Sequence, residues 1–206
     1  MTGSASIKII GPREPRLRPA AGAPTVINCC SSSGDWPRGL SPFVLGPCRL
    51  YGGLVARRHE NGWQFSKLYA RHADDAGRPK QSYWAWARAG FTNERAIRYP
   101  MGRDAKPLGS LWDGQLLDYV SARKLIYFPT YRDAVRSTDA FRRLSSLFKE
   151  TGQIVLWDFD GYDHDRLGMT LRDVIHCTEE GRKMGHAFVL KCMLLYGEDV
   201  APDDVL

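Results

Sequence analysis

The chain has 206 residues and a mass of 23.2 kDa, with 43% hydrophobic, 11% aromatic and 25% charged residues, a balance that excludes wholesale disorder and predicts a buried core. Its 29 basic and 23 acidic side chains leave a net charge of +6, which permits contact with nucleic acid or phosphate, and the charge is dispersed, with no Lys/Arg run longer than two. Five cysteines without a CxxC pair exclude a disulfide framework and point to a cytoplasmic protein.

Residues 1–24 hold Pro12, Pro15, Pro19 and Pro24 among Lys8, Arg13, Arg16 and Arg18, and they read as a basic, flexible arm with no apolar signal-peptide segment. Val26 to Cys30 and Leu45 to Tyr51 read as short strands on either side of the polar turn Ser31–Asp35. From Glu60, the residues Trp63, Gln64, Lys67 and Leu68 recur at helical spacing, which predicts a helix of about three turns with Glu60 and Lys67 on one face. Residues 80–89 predict a second helix, a short one follows Thr92, and Leu116 to Tyr127 is amphipathic up to Pro129. Ser137 or Thr138 caps the next helix, which Gly152 ends, and Gln153–Trp157 is a β-branched and aromatic strand. Four carboxylates within Asp158–Asp165 place a loop after it. A last helix runs from about Lys183 to Tyr196; its apolar run from Ala187, broken by Lys191, is too short to span a membrane. The expected fold is α+β and mainly α, a helical bundle with a small β element in one domain, residues 25–198, followed by a tail, residues 199–206.

The string Trp157-Asp158-Phe159-Asp160-Gly161 mimics the strand-then-DxDG motif of haloacid-dehalogenase-like phosphatases, but the 45 residues after Gly161 are too few for that fold's later motifs. Asp158, Asp160, Asp163, His164 and Asp165 lack the spacing of a calcium loop, and no HExxH or Cys/His set is present, so neither a metal nor a cofactor is expected. P-loop, strand-linked GxGxxG and GxSxG signatures are absent as well.

The order of the remaining segments resembles the NADAR family of YbiA-like N-glycosidases. The resemblance rests on Thr25-Val26-Ile27-Asn28-Cys29 with Ser31, on Leu40-Ser41-Pro42-Phe43, and on Glu60, Gln64 and Lys67 at the spacing of that family's Glu-His-x-x-Gln-x-x-Lys helix. It continues through Ala96, Met101-Gly102-Arg103, Lys106-Pro107-Leu108 and Trp112 to Asp158, Asp163 and Gly181–Gly185. The Trp-Gly that follows the family's loop Asp is missing after Asp163, and Met169–Glu180 is inserted, which marks a divergent branch of phage or actinobacterial type.

The resemblance implies cleavage of a ribose C1′–N bond in an ADP-ribosyl or phosphoribosyl small molecule or nucleic acid, including ADP-ribosylated guanine. It assigns Glu60 and Asp163 to the oxocarbenium-like charge that develops at the sugar, Trp112 to stacking, and Lys67 to phosphate or to an opened sugar. Asn28, Ser31, Phe43, Gln64, Arg103, Lys106, Asp158 and Asp160 are the expected substrate contacts. The rival readings are a non-catalytic module that binds ADP-ribose, a nucleotide or DNA, and a base-modifying transferase.

Overall fold

The computed structural model describes residues 6–14 and 23–206. In chain order these form β1 (Ser6–Ile10), β2 (Thr25–Asn28), β3 (Cys48–Arg49), β4 (Val55–Ala56), α1 (His59–Phe65), β5 (Lys67–Leu68) and α2 (Gln81–Phe91). Then come β6 (Gly109–Trp112), β7 (Gln115–Leu117), α3 (Tyr119–Ala122), a π-helical turn Arg123–Tyr127, α4 (Phe128–Val135), α5 (Asp139–Thr151), β8 (Gln153–Trp157), α6 (Leu171–His176) and α7 (His186–Tyr196). The protein is α+β and helices predominate. It divides into two compact units, residues 1–41 with 135–206, and residues 42–134.

The first unit is built on a parallel sheet of order β1-β8-β2, with Ile10 and Asn28 both in register with Trp157. Its central strand buries Ile154, Val155 and Leu156 in succession, as a strand covered on both faces requires. The helix before it, α5, is capped as its sequence predicts: the Thr138 hydroxyl accepts the Phe141 N–H, and Gly152 takes the left-handed conformation at its end. On the other side of the chain order, α7 is buried from His186 to Met193 and packs on β1.

Two expectations about the ends of this unit are corrected. Residues 6–10 are not part of an extended arm: Ile7, Ile9 and Ile10 are buried and the strand pairs along all of β8. The short Ile-rich run finds its partner strand at residues 153–157, and residues 1–5 and 15–22 of the expected arm lie outside the described residues. Nor is 199–206 a loose tail, since Val200 and Val205 are buried and the 3-10 turn Pro202–Asp204 packs on α6.

The second unit joins α1 and α2 over a core that includes Phe65, Leu68, Tyr83, Phe91 and Leu111. Here the expected helix from Glu60 is shorter than its period suggests. It ends at Phe65, and Lys67–Leu68 instead pairs with Ser110 and Gly109 in the antiparallel sheet β5-β6-β7. No helix follows Thr92, and the amphipathic stretch from Leu116 begins as strand β7. The β6–β7 turn is Asp113-Gly114 with φ of 47° and 80°, the left-handed pair that a tight hairpin demands. Pro129 lies within α4 rather than ending a helix; the wider π turn just before it relieves the clash a proline makes with the carbonyl four residues back. The middle of the chain is thus a mixed unit and not a helical bundle.

Candidate functional site

Glu60 and Gln64 lie on α1 in the second unit, and Lys67 follows on β5. Glu60 sits in the first turn, where a carboxylate suits the helix dipole, and its backbone N–H donates to the Pro42 carbonyl. Glu60 and Gln64 are 5% and 8% exposed, so both polar groups are removed from bulk water. Gln64 Nε2 donates to Glu60 Oε1 at 2.9 Å, and Lys67 Nζ donates to Gln64 Oε1 at 2.8 Å. The two bonds fix which way the amide points, because its oxygen must face the ammonium and its nitrogen the carboxylate. Lys67 reaches this position from β5 rather than from the helix, and its ammonium lies 5.0 Å from the Trp63 ring centroid.

Aromatic rings flank this line. Trp63 meets Tyr127 edge-on at 5.2 Å, and Trp63 and Trp112 both cover the small cluster Leu117, Ala122 and Ile126. His59, next to Glu60, places Nε2 3.1 Å from Thr130 Oγ1 and packs edge-on against Tyr127 and Tyr131. Arg123, 2% exposed, sits on the π turn with its guanidinium 4.5 Å from the Tyr119 ring centroid. Sequence reasoning passed over Arg123; an Arg inside an otherwise amphipathic stretch was its only signal. Arg103 and Lys106 are exposed on the loop before β6, where Arg103 stacks at 5.7 Å on Tyr99, and neither hydrogen-bonds to the α1 line among the described contacts. Phe43 is half-buried.

The carboxylates of the first unit are held by the fold itself. Asp158, 2% exposed at the end of β8, accepts the Ala187 N–H at the start of α7 at 3.2 Å and lies 3.2 Å from His186 Nδ1. Gly185 is required there, since a Cβ on it would stand 2.2 Å from Asp158 Oδ2. Asp158 therefore pins a helix end instead of facing open space. Asp160 is half-buried beside it, and Asn28 accepts the Cys30 N–H as a turn residue close to Ser31.

Asp163 makes an ion pair with Lys8 at 2.7 Å and accepts the Arg166 N–H at 3.2 Å. Burial works to raise its carboxyl, but the Lys8 hydrogen bond, the Arg166 N–H and the charges of Lys8 and His164 outweigh this and hold it below the usual range. Lys8, a residue of the expected arm, is thus the cation that neutralises the expected second catalytic carboxylate.

Next to it lies a pair that the sequence reading missed. Lys191 Nζ, on the buried α7, donates to His164 Nε2 at 2.9 Å and to Asp165 at 3.1 Å, and His164 Nδ1 is 2.9 Å from the Met169 carbonyl. Burial and then the Lys191 charge lower the His164 pKa, against the opposing pull of Met169, Asp165 and Asp163. A lone Lys in an apolar run was the available clue, because a buried ammonium needs partners.

Burial raises the Cys29 thiol well above its ordinary value and pushes Cys48 and Cys192 up to about 12, so these three supply no thiolate near neutral pH. Among the described residues no group of three His, Cys, Asp or Glu is placed to hold a metal ion, and no helix is long and apolar enough to cross a membrane. Comparison of the chain with protein-family models, curated proteins and solved structures finds no match.

Proposed function

We propose that the chain is an N-glycosidase that hydrolyses the C1′–N bond between a ribose and a base or amine, with a phosphoribosyl or ADP-ribosyl compound as substrate, ADP-ribosylated guanine included. The observation that supports it is the line Glu60–Gln64–Lys67, a buried carboxylate oriented by an amide that an ammonium holds in turn. In this reading Glu60 offers its negative charge to the oxocarbenium ion that develops as the bond breaks, or takes a proton from the attacking water. The base or amine departs with the bonding electrons and a proton. Trp63 and Trp112 exclude water on one side and offer flat faces to a sugar or ring. Lys67 serves as the outer anchor of the line and as a cation for the phosphate side.

The test is release of free ADP-ribose or ribose phosphate from such a substrate by the purified protein. Glu60→Gln keeps the size of the side chain but removes its charge, and the expected loss is about 10²-fold or more. An unchanged rate would remove Glu60 from the chemistry. A second reading, a module that binds the same ligands without cleaving them, is favoured by the Lys8–Asp163 ion pair, which leaves the second expected carboxylate already neutralised. Ligand binding without release of product, in the wild type as in Glu60→Gln, would establish that reading instead.

A further inference from the structure

The second unit holds a cleft of about 240 Å³ that the functional reading has not used, lined by Tyr51, Leu54, Trp84, Arg88, Phe91 and Asp113. Its construction is simple. Trp84, Arg88 and Phe91 follow one another at helical spacing along one face of α2, Tyr51 comes from the 3-10 turn before β4, and Asp113 comes from the hairpin turn. The walls are aromatic and aliphatic, while Arg88 and Asp113 contribute one donor-only and one acceptor-only charge. Among the described contacts neither of these two side chains has a hydrogen bond or ion pair to another group, and the charges of both act on the Tyr51 hydroxyl. Burial and then the Asp113 carboxylate raise that hydroxyl's pKa, and the Arg88 guanidinium works in the other direction.

Packed rings lead from the cleft to the apolar cluster that also carries Trp63 of α1. Tyr51 meets Trp112 edge-on at 4.9 Å, Trp112 covers the same apolar cluster as Trp63, and Trp63 carries the Lys67 ammonium. We infer that this cleft receives the heterocyclic base of the substrate, a planar nitrogen ring whose edge carries both hydrogen-bond donors and acceptors. The ring lies against Trp84 and Tyr51, Asp113 accepts from its N–H groups, and Arg88 donates to its carbonyl or ring nitrogen. A monophosphate has no use for aromatic walls, and a purely apolar ligand would leave both charges unanswered. The inference rests on the glycosidase reading, because it assigns the cleft to the group that this reaction releases.

The test is binding of adenosine, guanosine, cytidine and uridine to the full chain, followed by tryptophan fluorescence and calorimetry. At least one nucleoside is expected to bind, and Trp84→Leu is expected to weaken it by about tenfold or more, the usual scale for losing a base-stacking ring. Because Trp84 also packs on the core, the exposed Asp113→Asn and Arg88→Met are the second pair of variants. Asn tolerates the left-handed turn position, so the hairpin is kept while the charge is lost. Both variants are expected to change the rank order of the four nucleosides without moving the melting temperature. Absence of binding by all four, or identical binding in all three variants, overturns the inference. Binding that these variants weaken, in a protein that releases no product, leaves the cleft assignment standing and defeats the glycosidase reading. Product release that depends on Glu60 with a KM untouched by the three variants does the reverse.

Discussion

Gln64 makes one amide bridge a carboxylate and an ammonium, so its removal acts on both. Gln64→Leu takes a donor from the buried Glu60 and an acceptor from Lys67, a change of about 1–3 kcal/mol for a buried polar group. The expected outcome is a melting temperature lower by a few degrees and a kcat reduced at least about tenfold, with the two readouts measured on the same preparation. His164 gives a second prediction at this scale. In the unfolded chain its imidazole titrates near 6.5, whereas in the fold burial and Lys191 hold it lower. Stability is therefore fully present above about pH 6.5 and falls as the pH drops through that value toward the lower folded one, because the unfolded chain binds a proton that the native state resists. Asp163, lowered from 3.8, acts in a separate acid window: its contribution is present above that value and is lost as the pH falls toward the folded pKa. Urea unfolding between pH 7.5 and 5.5 checks the first window, and His164→Gln is expected to flatten the decline seen in the wild type.

Among the elements, β1 carries the largest consequence. It contributes Ile9, 1% exposed, to the core and Lys8 to Asp163. Ile9→Ala is expected to cost about 2–5 kcal/mol in urea unfolding, and deletion of residues 1–14 to abolish cooperative folding. Gly185→Ala should also destabilise, by about 1–3 kcal/mol, since its Cβ would push on the Asp158 carboxylate that holds the start of α7. The elements that were readable in the sequence have local causes: the Thr138 cap and Gly152 stop of α5, the β-branched run of β8, and the spacing of α2. The misread ones have non-local causes. β1 depends on a parallel partner at residues 153–157, far along the chain, and Lys67–Leu68 leaves its helical period because β6 offers ladder partners. The hairpin is different, since Asp113-Gly114 announces it locally and the amphipathic pattern that follows obscured it.

For the whole molecule, a charge of +6 spread without clusters predicts only weak, non-specific attraction to nucleic acid. Duplex affinity measured against salt should show a shallow log–log slope, corresponding to a few released counterions rather than to an extended phosphate-tracking groove. How far the candidate site was legible follows the same division between local and distant. Glu60, Gln64 and Lys67 share a short segment, so their spacing predicted their contact even though Lys67 leaves the helix. The state of Asp163 was hidden because its partner Lys8 lies on a strand that the sequence disguises among prolines and arginines. The central claim, that Glu60 drives cleavage of a ribose C1′–N bond by water, is tested most directly by turnover of an ADP-ribosylated guanine in ¹⁸O-water with mass analysis of the released sugar. The account predicts one ¹⁸O at the sugar's C1′ hydroxyl and a rate about 10²-fold or more lower for folded Glu60→Gln; unlabelled or absent product, or equal rates for the two proteins, would contradict it.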